Sequence, residues 1–210
     1  MNDPHNVKAI RKTSPYIASL TREKFMYYEM RITAGLLCDG FSSEEAAARI
    51  RDENLFQYPT EKMVCGMARA CLRRLELLNS QTLVQAIVTQ PSEASKQVCL
   101  YALMKQHRLV WDFMITVIGE KYRLMDTAFG KIDVNTFMMR LQEQDESVAA
   151  WNVSTVEKIK QVLTRILVEN GYIESFRSNH LNSVLITPVL ENAIRSSEDT
   201  IALPAFNCLD

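Results

Sequence analysis

TEKMVCGMARACLRRLELL, Thr60 to Leu78, is the segment of this chain with the clearest two-sided pattern. It has no proline, and Ala, Leu, Met and Arg, all strong helix formers, fill most of it. On a helix turning about 100° per residue, Arg69 and Arg73 fall within about 20° of Lys62. Val64, Met67, Cys71, Leu75 and Leu78 gather on the far side, and Arg74 lies at the border between the two faces. One face is built to bury and the other to present cations. Pro59-Thr60 marks the start, with Thr60 placed to cap.

Working back from Thr60, a first long helix is predicted over Thr21 to Asp39, with Phe25, Ile32, Leu36 and Leu37 at helical spacing. Gly40 stops it. Ser42 or Ser43 then caps a short helix, Glu44 to Asn54, whose first turn is acidic as the dipole favours. A long helix, a short one and a third is the outline of a helix-turn-helix. Working forward, Gln81 to Gln90 and Ser92 to Gln106 are helices split by Pro91, and Leu109 to Met125 is the most apolar helix, the expected core post.

A second triplet follows: Asp133 to Gln144, Glu146 to Trp151 and Ser154 to Asn170, the last opened by a Ser154/Glu157 capping box and closed by Gly171. Beyond Gly171 the period shortens to about two residues. Tyr172 to Glu174 and Val184 to Thr187 flank the polar run Ser175 to Ser183, predicting a hairpin. Pro188 to Arg195 is the last helix. The expected fold is all-α, mainly helical, with two helix-turn-helix-like units, the C-terminal one winged by a short β-hairpin. The units are residues 1–78, a central helical core over 79–130, the winged unit over 131–195 and a loose tail over 196–210.

Composition agrees. With 47% apolar and 23% charged residues the chain is globular, and 6 Gly, 6 Pro and 8% aromatic residues exclude an all-β sandwich. A net charge of −1 excludes a globally basic binder and leaves room for local basic faces. Five cysteines, odd in number and without a C-x-x-C pair, exclude a metal knuckle or redox dithiol, so free thiols packed as small core side chains are expected. Met1 to Lys12 lacks the apolar run of a secretory signal. Leu109 to Ile118, the most apolar stretch, is broken by Asp112 and too short to span a bilayer. A cytoplasmic location with no membrane contact is expected.

Catalytic signatures are missing. His5, His107 and His180 are solitary, and no phosphate-binding glycine loop or nucleophile elbow occurs. Glu44-Glu45 and Asp52-Glu53 sit beside Arg49 and Arg51, the pattern of a solvated, ion-paired face. No enzyme activity, cofactor, metal or small-molecule substrate is expected.

The basic faces are the candidate sites. Lys62, Arg69, Arg73 and Arg74 could offer ammonium and guanidinium groups to duplex DNA from a helix in the major groove. On the Ser154 to Asn170 helix, Val156, Ile159, Leu163, Ile166 and Leu167 form the core stripe, with Lys158, Gln161 and Arg165 opposite. Ser154 and Thr155 could present hydroxyls and N–H groups to a phosphate at its start, and Arg177, Asn179 and His180 would add contacts from the wing. Glu169 falls on the same strip, a like-charge mismatch with DNA. Few Asn or Gln lie on these faces, so weak base discrimination and salt-sensitive binding are expected. Three other readings stand beside this one. Any exposed helix carries some cations; an adaptor between proteins would use Tyr27, Tyr28 and Phe56; and the same faces could bind RNA.

Several words in order carry a family likeness: YIASLTREKFMYYEMRI (Tyr16 to Ile32), ENLFQ (Glu53 to Gln57) and ARACLRRL (Ala68 to Leu75). LYALMKQHRL (Leu100 to Leu109), EKYRL (Glu120 to Leu124) and AAWNVSTVEKI (Ala149 to Ile159) complete the set. Together they resemble the BrxA family, a core component of the BREX bacteriophage-exclusion systems of bacteria, over roughly Tyr16 to Leu190. The resemblance implies a cytoplasmic helical protein with helix-turn-helix-like units and DNA affinity. It also implies a setting that methylates host DNA and blocks unmodified phage, with the methyltransferase and ATPase of that system as further partners. An inner-membrane placement sometimes suggested for the family is at odds with the lack of any spanning segment here.

Overall fold

In a computed structural model, which describes residues 14–209, the segment singled out above forms the helix Glu61–Leu78. The Thr60 hydroxyl accepts from the Met63 N–H at 3.3 Å, and Asn79 ends the helix in the left-handed region at φ 46°. The Met1 to Lys12 stretch and His5 lie outside the described residues.

Two helices precede it, α1 (Tyr27–Cys38) and α2 (Ser43–Asp52), so Glu61–Leu78 is α3. At the start of α2, Ser42 and Glu45 form a reciprocal capping box. The first helix begins six residues later than its periodicity predicts. A short 3-10 turn (Ala18–Thr21) comes first, and Met26 sits in the left-handed region at φ 55° and ψ 45°. The cause lies on α3, where Arg74 takes the backbone carbonyls of Glu23 and Phe25 at 2.7 and 2.9 Å. Neither oxygen accepts the i+4 N–H bond that would extend α1 toward Thr21, and the first such bond runs from Met30 to Met26 O.

Next come α4 (Gln81–Thr89) and α5 (Ser92–Gln106), which pack against α1 and α3. Val98 to Met104 are buried without a break, so α5 shares the role of core post. The most apolar stretch is one helical rod in three parts: α6 (Arg108–Phe113), a π-helical segment (Met114–Gly119) and α7 (Glu120–Arg123). Against that π-helical segment lies the chain's end, which is not loose as predicted. Thr200–Phe206 form a 3-10 helix with Ala202 to Phe206 buried. Gly119 permits this contact, because a Cβ there would sit 3.3 Å from the Pro204 side chain and the Ala205 nitrogen.

The second triplet is α8 (Lys131–Gln144), α9 (Glu146–Ala149) and α10 (Val153–Glu169). Its long helix is capped two residues before the predicted box. Asn152 Oδ1 accepts from the Thr155 N–H at 2.8 Å and from the Ser154 hydroxyl at 2.7 Å, so Asn152, not Ser154, is the cap. After α10 the predicted hairpin does not form. No strand is present among the described residues, and the one β-bridge joins Ala128 to His180. Phe129 donates to Asn179 O and Leu181 to Thr127 O, so the segment pairs with the stretch before α8, while Asn182 donates to Tyr172 O at 2.8 Å within it. Tyr172, Ile173 and Leu181 are all in the core, and the Tyr122 hydroxyl holds Asn182 O at 2.6 Å. Burial of its apolar residues thus outweighs local pairing. The final helix is α11 (Pro188–Ser196).

One continuous hydrophobic core runs from Leu20 to Phe206. No helix among the described residues is long and apolar enough to cross a membrane.

Candidate functional site

On α3, Lys62, Arg69 and Arg73 are exposed, and none takes part in an ion pair among the described residues. The opposite face, with Val64, Ala68, Cys71, Leu75 and Leu78, is buried. Arg74 is the correction. It is 0% exposed and cannot reach a ligand in solvent. Besides the two carbonyls already named, its Nε donates to Gln106 Oε1 at 2.6 Å. Gln106 in turn donates to the Glu23 carboxylate at 3.2 Å, and the His107 Nε2 lies 3.5 Å from the same oxygen. Burial lowers the pKa of His107, against the pull of Glu23 and with the help of Arg74. The Glu23 carboxyl is held below the ordinary carboxylate range, first by its contact with His107. Three donating groups of Arg74 are all satisfied in a planar fork, which a lysine could not reproduce. The border residue of the helical wheel is therefore a clamp on the loop that enters α1.

On α10, Lys158, Gln161 and Arg165 are exposed opposite buried Val156, Ile159, Leu163, Ile166 and Leu167. At its start, the Ser154 hydroxyl and the Thr155 N–H are engaged by Asn152, which narrows what that turn can offer a phosphate. Arg177 and His180 are exposed on the segment that follows α10. That segment is tied back by a cation–π contact, with the Arg165 guanidinium 5.7 Å from the Phe176 ring centre.

The fold brings the two helices to one cleft of about 730 Å³, with Met63 and Met67 from α3 and Arg165 and Glu169 from α10 in its walls. Arg22, Lys24 and Lys96 complete its basic lining. The wheel alone left Glu169 unexplained. It is half-buried, burial raises its pKa, and Arg165, Lys96 and Lys24 pull the value back down. It is the acidic counterweight inside a cationic cleft. Of the adaptor candidates, Tyr28 is exposed and Tyr27 half-buried in this cleft, whereas Phe56 is buried in the core. No sequence pattern brings Lys24, Lys96 and Arg165 together, because they come from three separate segments.

Among the described residues, no three His, Cys, Asp or Glu side chains converge on a metal position. Cys71 and Cys99 are buried free thiols, whereas Cys65 and Cys208 are half-buried and Cys38 is exposed, so only two of the five pack as small core side chains.

The sequence profile of the BrxA family, whose description is BrxA, matches residues 14–198. The chain belongs to the BrxA family. A BREX protein BrxA from Bacillus cereus (strain H3081.97) is 35% identical over 168 residues, covering 80% of this chain and 84% of that protein. The BREX protein BrxA from Paramagnetospirillum magneticum (strain ATCC 700264 / AMB-1) is 25% identical over 171 residues, 81% of this chain and 85% of its own length. That from Escherichia coli O9:H4 (strain HS) is 22% identical and spans 92% of both chains. The crystal structure of an uncharacterized protein from Magnetospirillum magneticum superposes with a TM-score of 0.77 at 24% identity, over 92% of this chain and 98% of that one, so the two share a fold. The BrxA likeness read from ordered words in the sequence is thus family membership.

Proposed function

We propose that the chain is a non-enzymatic, DNA-binding component of a BREX bacteriophage-defence system. Membership of the BrxA family supports the setting, since the relatives are named as BREX proteins. One observation carries the DNA reading: Lys62, Arg69 and Arg73 form an exposed row, without an ion-pair partner among the described residues, on a helix whose other face is core. In this reading α1–α3 and α8–α10 are helix-turn-helix-like units. Lys158, Gln161 and Arg165, with Ser154, Thr155, Arg177 and His180 around them, form the second contact surface. Phosphate contacts supply most of the affinity and little base preference.

Gel shift of a blunt duplex with Arg69→Glu/Arg73→Glu and, separately, with Lys158→Glu tests each helix. Each α3 reversal replaces an attraction with a repulsion, so at least a tenfold loss is expected for the double variant and a smaller one for Lys158→Glu. Unchanged binding by a folded double variant removes α3 from the interface.

A second reading, contact with the methyltransferase or ATPase of such a system, is favoured by Leu124, Met125 and Ile132, which stand 73%, 87% and 75% exposed. Pull-down with and without nuclease separates direct contact from tethering by DNA.

A further inference from the structure

We infer that the cleft between α3 and α10 is a pocket for a nucleotide, with the phosphate among Lys24, Lys96 and Arg165 and the base against Tyr28 and the two methionines. It deepens the duplex reading, on which its place in the system rests, and shares only Arg165 with that surface; Lys24, Tyr28, Met63, Met67 and Lys96 are its own.

Three features point to this chemistry. The first is shape. At about 730 Å³ the cleft falls within the range of ligand pockets, roughly 300–1,000 Å³. Met63, Met67 and the exposed ring of Tyr28 give it apolar and aromatic walls suited to the flat face of a base.

The second is charge. Arg22, Lys24, Lys96 and Arg165 face two carboxylates, Glu29 and Glu169, and none of the four cations is ion-paired among the described residues. Glu29 already accepts the Tyr58 hydroxyl, and Glu169 is half-buried. The cleft therefore holds an excess of positive charge that one phosphate group would neutralise.

The third is the placement of Lys96. Its ammonium lies 5.6 Å from the centre of the Tyr27 ring, which holds the charge at the wall of the cleft. Glu169 offers an acceptor for an exocyclic amine. The Arg74 clamp holds the loop carrying Lys24 in place before any ligand arrives. A free nucleoside phosphate and an unstacked nucleotide of a single strand share this chemistry.

Fluorescence anisotropy with labelled octathymidylate, competed by adenosine monophosphate or by inorganic phosphate at equal ionic strength, tests the pocket. Labelled blunt duplex runs in parallel. Adenosine monophosphate should displace the single strand at least tenfold better than phosphate. Tyr28→Ala and Lys96→Glu should weaken single-strand and mononucleotide binding at least tenfold while duplex binding stays within twofold. Arg69→Glu/Arg73→Glu should do the reverse. Tyr28 is exposed, so its removal spares the core, and an unchanged melting temperature checks this. A pocket reached only from a strand would bind octathymidylate and not the monophosphate, with the same dependence on Tyr28 and Lys96, and this too supports the inference. Displacement of the strand by phosphate at the concentrations at which adenosine monophosphate displaces it, parallel loss of duplex and single strand, or indifference to Tyr28→Ala would each overturn it. Indifference of nucleotide binding combined with loss of a copurifying protein would assign the cleft to a protein partner and overturn it as well. Absence of duplex binding by the unmodified protein would remove the duplex reading alone, since the nucleotide arm stands apart from it.

Discussion

Helices α3 and α10 carry the same outline, a buried stripe opposite a cationic strip, yet they use arginine in opposite ways. On α3, Arg74 turns inward and fixes the loop from Glu23 to Phe25. On α10, Arg165 turns outward, over Phe176 and at the wall of the cleft. Only part of a basic helix face is free to meet a ligand. A guanidinium at the edge of the strip is long enough to reach backbone carbonyls of a neighbouring segment, and once desolvated there it serves the fold.

The largest expected difference between the two helices is therefore in stability. Arg74→Ala leaves two buried carbonyls without donors and should cost about 3 kcal/mol in urea unfolding, with Arg74→Lys recovering little of it. Arg165→Ala removes one exposed cation–π contact and should cost about 0.5 kcal/mol. A cost for Arg165→Ala as large as that for Arg74→Ala would erase the contrast.

Caps sharpen it at the next level. Asn152→Ala should destabilise by about 1 kcal/mol and Thr60→Ala by a similar amount, because each removes the acceptor for an early helical N–H. Ser154→Ala, which leaves Asn152 in place, should cost less than either in the same unfolding assay.

Acid should divide the two regions by sign. Beneath α3, the folded-state pKa of His107 lies below its ordinary 6.5, so the unfolded chain binds the proton more readily. That contribution to stability is complete above about 6.5 and declines as pH falls from there toward the folded value. Glu23, depressed below 4.5, adds a second decline beneath that value. On α10, Glu169 is raised above 4.5, so acidification between its folded value and 4.5 favours folding. Unfolding free energies measured from neutral to acid pH should show His107→Gln flattening the upper decline. Glu169→Gln should remove the opposing gain.

Much of the helical plan was legible. Glu61–Leu78, Gln81–Thr89 and Ser92–Gln106 fall within a residue of their predicted ends, because periodicity, Pro91 and a threonine cap all agree there. What failed did so where distant contacts overrule local pattern. The start of α1 is set by an arginine about fifty positions away. The run Ala202 to Phe206, too short for a periodic signal, is buried on Gly119. Tyr172 and Val184 alternate like strands, but the stretch between them pairs with the residues before α8. At the candidate site, the exposed row Lys62, Arg69 and Arg73 came from the wheel, while the cleft did not. Its walls come from segments that only the tertiary fold brings together.

A polyanion held by the outward cations of α3 would show in the salt dependence of duplex binding, measured by anisotropy for the unmodified protein and for Lys62→Glu/Arg69→Glu/Arg73→Glu. Loss of three phosphate contacts should lower the steepness of log K against log salt by about 3 and weaken binding throughout. An identical slope and affinity in a variant with unchanged circular dichroism would contradict it.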